Sequence, residues 1–326
     1  MIISAKPFPS LKIIINSNIN QSAFNKDWRD FCFFEYGREA LLSGVAELGL
    51  KKGDAIIIPA YICDSAIAPL RDYGYKLVFV DIDETGNLPV STIQSMIKLH
   101  KPRALLVVHY FGFIFDLKEL IDLCRENNIK VIEDCSHSFH SQLLKENNSK
   151  SDLEIFSIRK SLPVYDGGAF RLKSSNFEAK SFKFVRKSNS SKSIIYLLGR
   201  LVEWTIIKVG INFYSPLVLN LKKTILNENE KPQSLKSCYI VDPSNHLKCY
   251  LGNDNYLNST VKKIQTNFRF LQNNLKNYEF DFSFDSNNTG SIPQVFLVKD
   301  DSGGLLKYMN SKGVGAYCWP NYEMPK

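Results

Sequence analysis

No C-x-x-C pair occurs among the seven cysteines, Cys32, Cys63, Cys124, Cys135, Cys238, Cys249 and Cys318, and several of them lie inside apolar runs. That absence removes the signal for a zinc site or a disulfide framework and fits free thiols in a reducing cytoplasm. No uninterrupted apolar stretch approaches the ~18 residues of a membrane span, so no integral membrane segment is expected. A secretory leader is not indicated either: the run Leu11 to Ile15 is short and broken by Lys12. A cytoplasmic location is therefore expected. Also missing is a stripe of arginine and lysine interleaved with aromatics. The formal charge of +8, from 41 basic and 33 acidic residues, thus reads as a solvated basic surface, with no nucleic-acid partner. There is no internal repeat.

The 326 residues, 44% hydrophobic and 23% charged, describe a globular chain long enough for one large domain and a smaller one. Residues Arg38 to Leu50 put Leu41, Val45 and Leu48 at helical spacing, and Lys51-Lys52-Gly53-Asp54 closes the helix as a turn. Strand-like runs at Ala55 to Ile58, Lys76 to Val80, Ala104 to Val108 and Ile129 to Ile132 alternate with helical patterns at Ser65 to Tyr73, Val90 to Leu99 and Leu117 to Asn127. Such alternation predicts β-α-β units and a mostly parallel central sheet flanked by helices, an α/β fold. Leu11 to Ile15 reads as a short strand and Phe31 to Phe34 as an apolar cluster. Ile194 to Leu221 reads as one or two amphipathic helices, packed on the domain, a partner subunit or a membrane surface. Beyond a polar linker at Asn227 to Gln233, a long helix is expected at Asn255 to Asn274, a strand at Gln294 to Val298 and a helix at Gly303 to Ser311. The expected division is a large domain over residues 1–230, with a helical insertion at about 190–225, and a small α+β domain over 231–326.

Chemistry concentrates in Lys130 to Leu172. The run Val131-Ile132 closes on Glu133-Asp134, and the later run Leu153 to Ile158 is followed by Arg159-Lys160 and then by Asp166-Gly167-Gly168. A carboxylate at one strand end and a lysine past another fit a ligand site at the carboxyl edge of a parallel sheet. From spacing alone, Asp134 reads more readily as a helix cap or turn residue and Lys160 as an exposed strand-end lysine. His137 and His140 form an H-x-x-H, which also admits a metal reading.

These segments resemble the DegT/StrS family of pyridoxal 5'-phosphate-dependent sugar aminotransferases, of fold type I. The likeness rests on Val131-Ile132-Glu133-Asp134-Cys135-Ser136-His137, on Phe156-Ser157-Ile158 with Lys160, and on Asp166-Gly167-Gly168. The gap from Ser157 to Lys160 is shorter than the family's, and Asp166 stands where glutamate is usual. Upstream, Gly37-Arg38-Glu39-Ala40-Leu41 is similar to the family's phosphate-binding turn, with Arg38 in place of a hydroxyl residue, and Lys52-Gly53-Asp54 to Pro59 and Val108 to Gly112 are similar to family strands. The family's ring-stacking aromatic would fall near Cys63, which makes Tyr61 the substitute. Family members continue past the element matched by Trp319-Pro320, whereas this sequence ends at Lys326.

The resemblance implies that Lys160 holds pyridoxal 5'-phosphate covalently and serves as acid and base, with Asp134 keeping the pyridine nitrogen protonated. It places Gly37, Arg38, Glu39 and Ser157 at the phosphate and His137 at the ring, and it implies no metal. It also implies a homodimer in which Asn245 reaches the neighbour's phosphate. The implied activity transfers an amino group, from an amino-acid donor such as glutamate, to a keto carbon of a nucleotide-linked sugar for surface polysaccharide or O-antigen synthesis. The alternatives are a dehydratase-like relative, whose known variant carries histidine in place of the lysine, and a non-catalytic scaffold subunit.

Overall fold

The computed structural model describes residues 9–10, 13, 28, 30–144, 150–173, 186–188, 190–210, 240–275, 290–298 and 303–316. Its frame is a seven-stranded sheet in the order β1-β7-β6-β5-β4-β2-β3. The strands are β1 (Phe31–Phe34), β2 (Ala55–Pro59), β3 (Lys76–Val80), β4 (Ala104–Val108), β5 (Lys130–Asp134), β6 (Leu153–Ser157) and β7 (Gly168–Leu172). The five strands from β6 to β3 are parallel; at one margin β7 runs antiparallel to β6, and β1 runs antiparallel to β7. The α/β fold with a mostly parallel sheet is as expected from the sequence. Ile56, Ile57, Ile58, Leu105 and Leu106 are completely buried, because crossover helices cover both faces of such a sheet.

Around it lie α1 (Gly37–Glu47), α2 (Asp64–Tyr73), α3 (Val90–His100), α4 (Lys118–Glu126) and the short α5 (Phe139–Leu144). Further on come α6 (Ser190–Lys208), α7 (Asn245–Leu251), α8 (Asp254–Asn274) and α9 (Leu305–Ser311), with a two-stranded parallel ladder of β8 (Arg186–Lys187) and β9 (Val241–Asp242). No helix among the described residues is long and apolar enough to cross a membrane. Helix α4 shows the local logic. Leu120, Ile121 and Cys124 line its buried face, and Asn128 takes the left-handed backbone just beyond its end.

Two expectations change. Of Leu11 to Ile15 only Ile13 is described, and it lies in helical rather than strand conformation. Gln294 to Val298 forms no strand. The Gln294 amide donates to the Phe111 carbonyl at 2.6 Å and Ile114 donates to the Ser291 hydroxyl at 3.0 Å, so this segment is tied to an irregular loop and not to a sheet edge. The stretch after His137 winds into α5, because Phe139 buries its ring against Trp28, 6.0 Å away. The linker at Asn227 to Gln233 and the part of the amphipathic run beyond residue 210 lie outside the described residues.

Candidate active site

The sheet register gathers the predicted residues at one edge. Asp134 ends β5 opposite Val108 on one side and Ile155 on the other, and Ser157 ends β6 opposite Gly168. Phe34, the last residue of β1, also pairs with Gly168. Beside it Tyr36 turns the chain into α1, whose first residues are Gly37 and Arg38. The strand order reverses between β2 and β4, and open α/β sheets place ligands outside the carboxyl ends of their strands at such a switch point. There the Tyr110 hydroxyl donates to the Tyr61 carbonyl at 2.7 Å.

Lys160 ends a 3-10 turn, Ile158–Lys160, that directly follows β6. Its Nζ lies 3.1 Å from His137 Nε2. The residue as a whole is exposed, while its amine end lies against the protein beside His137. Desolvation by the neighbouring protein pushes the amine below the ordinary lysine value; Asp134 and Cys63 pull it back up, and Arg159 pushes it further down. Arg159 adjoins the lysine in the chain, but burial is the larger cause. His137 is driven well below the usual histidine range by burial and by Lys160, so its ring is neutral at pH 7. Against an ammonium, which has only donors, Nε2 must accept. The ring stacks on Phe111 at 5.8 Å and 19°. Phe111 holds φ of 57°, a costly backbone conformation for a bulky residue. Asp134 is buried and accepts the Ser136 amide at 2.9 Å.

The turn at α1 is built by close backbone approach. A Cβ on Gly37 would lie 3.1 Å from Ser157 Cβ, so the first turn of α1, whose amides lack intrahelical acceptors, abuts the Ser157 side chain. The Glu39 carboxylate accepts the Tyr36 amide at 3.2 Å, so it caps its own helix. The Arg38 and Arg159 guanidiniums sit 4.5 and 5.1 Å from the centroid of the Tyr36 ring. Tyr61 packs on Tyr110 at 5.5 Å. Asn245 begins α7, is exposed, and makes no side-chain hydrogen bond among the described residues. The residue before it, Ser244, binds Asp166 twice, through its amide at 2.8 Å and its hydroxyl at 2.7 Å. That is the structural reason for an acidic residue before Gly167-Gly168.

Beneath the site, His109 Nε2 pairs with Glu133 Oε2 at 2.7 Å and His109 Nδ1 accepts the Phe115 amide at 3.2 Å. Cys135 joins them within 4.8 Å, but burial pushes its thiol far up, and both histidine nitrogens are engaged. The cluster is a hydrogen-bonded floor under Asp134. His140 packs edge-on to Phe139 and meets the Ser161 backbone just past Lys160. Burial pushes its ring from 6.5 down to about 4, against a smaller opposing pull from the Ser161 backbone. A histidine depressed on folding contributes stability that is complete above pH 6.5 and is lost as the pH falls toward 4. The loss assigned to His140 approaches about 3 kcal/mol. Urea unfolding at about pH 7 and about pH 4 should show His140→Leu losing less stability than the wild type over that range; equal losses would refute the assignment.

Sequence reasoning did not single out Phe111 as a wall of the site, Gln294 as a contact to the lysine turn, or Tyr110. Gln294 lies far along the chain, and no spacing rule links it to Lys160.

Comparison with known proteins places this arrangement. Residues 34–198 match the DegT/DnrJ/EryC1/StrS aminotransferase family. GDP-perosamine synthase of Escherichia coli O157:H7 is 31% identical over 136 residues, covering 40% of this chain and 37% of that protein. A UDP-4-amino-4,6-dideoxy-N-acetyl-beta-L-altrosamine transaminase of Campylobacter jejuni is 27% identical over 219 residues, covering 64% and 56%. The chain spans between 27% and 56% of the length of the curated relatives it matches. Among solved structures, a GDP-4-keto-6-deoxymannose-3-dehydratase (ColD) mutant with bound GDP-perosamine superposes with a TM-score of 0.61 at 16% identity, covering 95% of this chain and 84% of that one. A DegT DnrJ EryC1 StrS aminotransferase from Brucella abortus gives 0.58 at 15% identity, covering 93% and 77%. At these identities the structures establish the fold. With half of its length matched, the chain belongs to the DegT/DnrJ/EryC1/StrS aminotransferase family.

Proposed function

We propose that this chain carries pyridoxal 5'-phosphate on Lys160 and transfers an amino group from an amino-acid donor such as glutamate to a keto carbon of a nucleotide-linked sugar. The observation that carries the reading is the desolvated Lys160 amine, 3.1 Å from a neutral His137 and under the influence of the buried carboxylate Asp134. The residues fit the cofactor. An amine kept partly neutral can attack an aldehyde, a buried carboxylate can hold a pyridinium proton, and a helix start abutting Ser157 can take a phosphate. When bound, the cofactor supplies an electron sink at the carbon that exchanges its amino group.

In this reading Lys160 anchors the cofactor and carries protons to and from the reacting carbon, for which a lowered pKa suits it. Asp134 retains the proton on the ring nitrogen. Gly37, Arg38 and Ser157 receive the phosphate, while Glu39 acts indirectly by capping α1. His137, backed by Phe111, presents a flat neutral face, and Tyr61 is the aromatic toward the β2 side. Lysine at position 160, rather than histidine, favours amino transfer over dehydration. Free thiols at all five described cysteines support a cytoplasmic setting, the GDP-perosamine synthase and UDP-sugar transaminase relatives support a nucleotide-sugar substrate, and a role in surface polysaccharide synthesis is part of the proposal. The test is an absorbance band of lysine-bound cofactor in the purified protein, with borohydride fixing its mass on the Lys160 peptide, bleached by glutamate with release of 2-oxoglutarate. A protein that fixes no cofactor at Lys160 fits the scaffold reading instead.

A homodimer is part of the proposal, with Asn245 directed to the neighbouring site. It is supported by α6, where Ile195, Leu198 and Val202 recur at 3- and 4-residue spacing and are 69%, 57% and 58% exposed. Arg200 and Glu203 are buried on the opposite side. An apolar seam of this spacing suits a second helix of the same kind. Burying one such side chain contributes about 1.5–3 kcal/mol. Leu198→Glu with Val202→Glu should therefore weaken self-association at least about a hundredfold, seen as a halved mass in sedimentation. An unchanged mass would remove α6 from the interface, and loss of vesicle binding instead would assign the face to a membrane.

A further inference from the structure

We infer that Gln294 is a positioning residue for Lys160, holding the root of the lysine while His137 meets its tip. The inference rests on the reading of Lys160 as the reactive amine. The Gln294 side-chain amide donates to the Lys160 carbonyl at 3.0 Å and lies 3.4 Å from the Ser161 hydroxyl. The last carbonyls of a 3-10 turn have no donor within the turn, and here the donor arrives from 134 residues away in sequence. The backbone amide of the same Gln294 donates to the Phe111 carbonyl at 2.6 Å. The Phe111 ring in turn stacks on His137, whose Nε2 meets Lys160 Nζ. Gln294 thus closes a circuit in which main chain and amine of one lysine are held by a single set of contacts.

The seat of the segment is specific. A Cβ on Gly112 would lie 2.1 Å from the Ile292 carbonyl oxygen and 2.6 Å from the Gln294 nitrogen. With φ of +99°, Gly112 is also in a backbone region that side chains disfavour. The Ser141 hydroxyl fastens the same strap, accepting the Ile292 amide at 2.8 Å and donating to the Gly112 carbonyl. Residues 291–294 therefore clamp two parts of the site together: the loop that carries Phe111 and the turn that carries Lys160. The lysine side chain has several rotatable bonds, so an unfixed root would leave its amine spread over many positions. Misplacement of a reacting group by about 1 Å can cost about a hundredfold in rate.

The decisive variant is Gln294→Met, which keeps side-chain length and shape and removes both side-chain donors. Lys160 reactivity is followed by acetic anhydride pulses across a pH series, with the Lys160 peptide quantified by mass spectrometry against exposed lysines of the same chain. The groups that face the amine from other elements, Asp134 on β5, Cys63 before α2 and His137, stay unchanged, as does Arg159 in its own turn. In the wild type the midpoint of Lys160 labelling should lie below that of the exposed lysines. In Gln294→Met it should move up toward them, with capture of added pyridoxal phosphate slowed about tenfold. Gly112→Ala, which unseats the strap at the Ile292 and Gln294 backbone and leaves the Gln294 side chain chemically intact, should move the midpoint the same way. A Gln294→Met protein with wild-type midpoint and wild-type capture would overturn the inference. Failure of the wild type to capture pyridoxal phosphate counts against the proposed function alone, since the labelling midpoint still decides whether Gln294 places the lysine.

Discussion

Lys160→Ala should give a folded protein that fixes no pyridoxal phosphate and whose amino-transfer rate is lower by at least about 10²–10⁴-fold, the scale of acid–base catalysis alone. The loss follows from position. Lys160 Nζ meets a neutral His137 at 3.1 Å, and desolvation holds it below the ordinary lysine value. No other lysine among the described residues ends the turn after β6. Removing a desolvated amine costs the fold little, so melting should change far less than activity. Arg159→Ala is the useful contrast. It removes a cation that lowers the Lys160 pKa by less than burial does, so the pH profile should move up while turnover at high pH survives. Spectra and peptide mass after borohydride reduction decide the case, and continued fixation of the cofactor by Lys160→Ala would disprove the assignment.

Gly168→Ala should have the largest effect on the fold. A methyl at that position would fall 2.1 Å from the Tyr36 carbonyl carbon, 2.2 Å from its oxygen and 2.7 Å from the Gly37 nitrogen. All three are backbone atoms, so no side chain can rotate aside and the junction of β1 with α1 has to move. Overpacking commonly costs about 1–3 kcal/mol and sometimes more, and a backbone clash this close belongs at or above the upper end. The same shift separates Gly37 from Ser157, so affinity for pyridoxal phosphate should fall at least about tenfold, from about 1.4 kcal/mol of lost contact. Gly199→Ala serves as the control. No atom lies within 4 Å of its added carbon, and alanine in an exposed helix is favoured by about 0.5–1 kcal/mol. A Gly168→Ala protein melting with the wild type would show that the junction is looser than the close approach implies.

The pair Gly167-Gly168 was legible as a motif but not as a mechanism. Its purpose appears when β7 turns antiparallel and lies between β1 and β6, pressing Gly168 on Tyr36 and pairing it with both Phe34 and Ser157. Four-residue β1 carries no periodic signal, so its apolar run could not announce a partner such as Gly168, which pairs with Phe34 from the far side of the sheet's other strands in sequence. The parallel strands were readable for the opposite reason. Runs such as Ile56-Ile57-Ile58 are apolar without alternation, which a chain tolerates only where both faces are covered. Tyr61 shows the limit of register arguments: it reaches the correct sheet edge, and its ring then packs on Tyr110. Glu39 shows another, since a carboxylate at the third helical position serves its own cap as readily as a ligand.

By itself, the sequence determined the α/β alternation, the parallel core and the presence of Asp134 and Lys160 at strand ends. Those are local properties, set by hydrophobic period, chain length between breakers and residue type. Only the tertiary structure decided what surrounds the lysine. It supplied the surroundings that desolvate the amine, the neutral His137 at its tip, the Phe111 wall and the Gln294 amide at its root. Each of these depends on residues distant in sequence converging within a few ångströms. Desolvation and hydrogen bonding act over that range in space, and spacing along the chain carries no record of it.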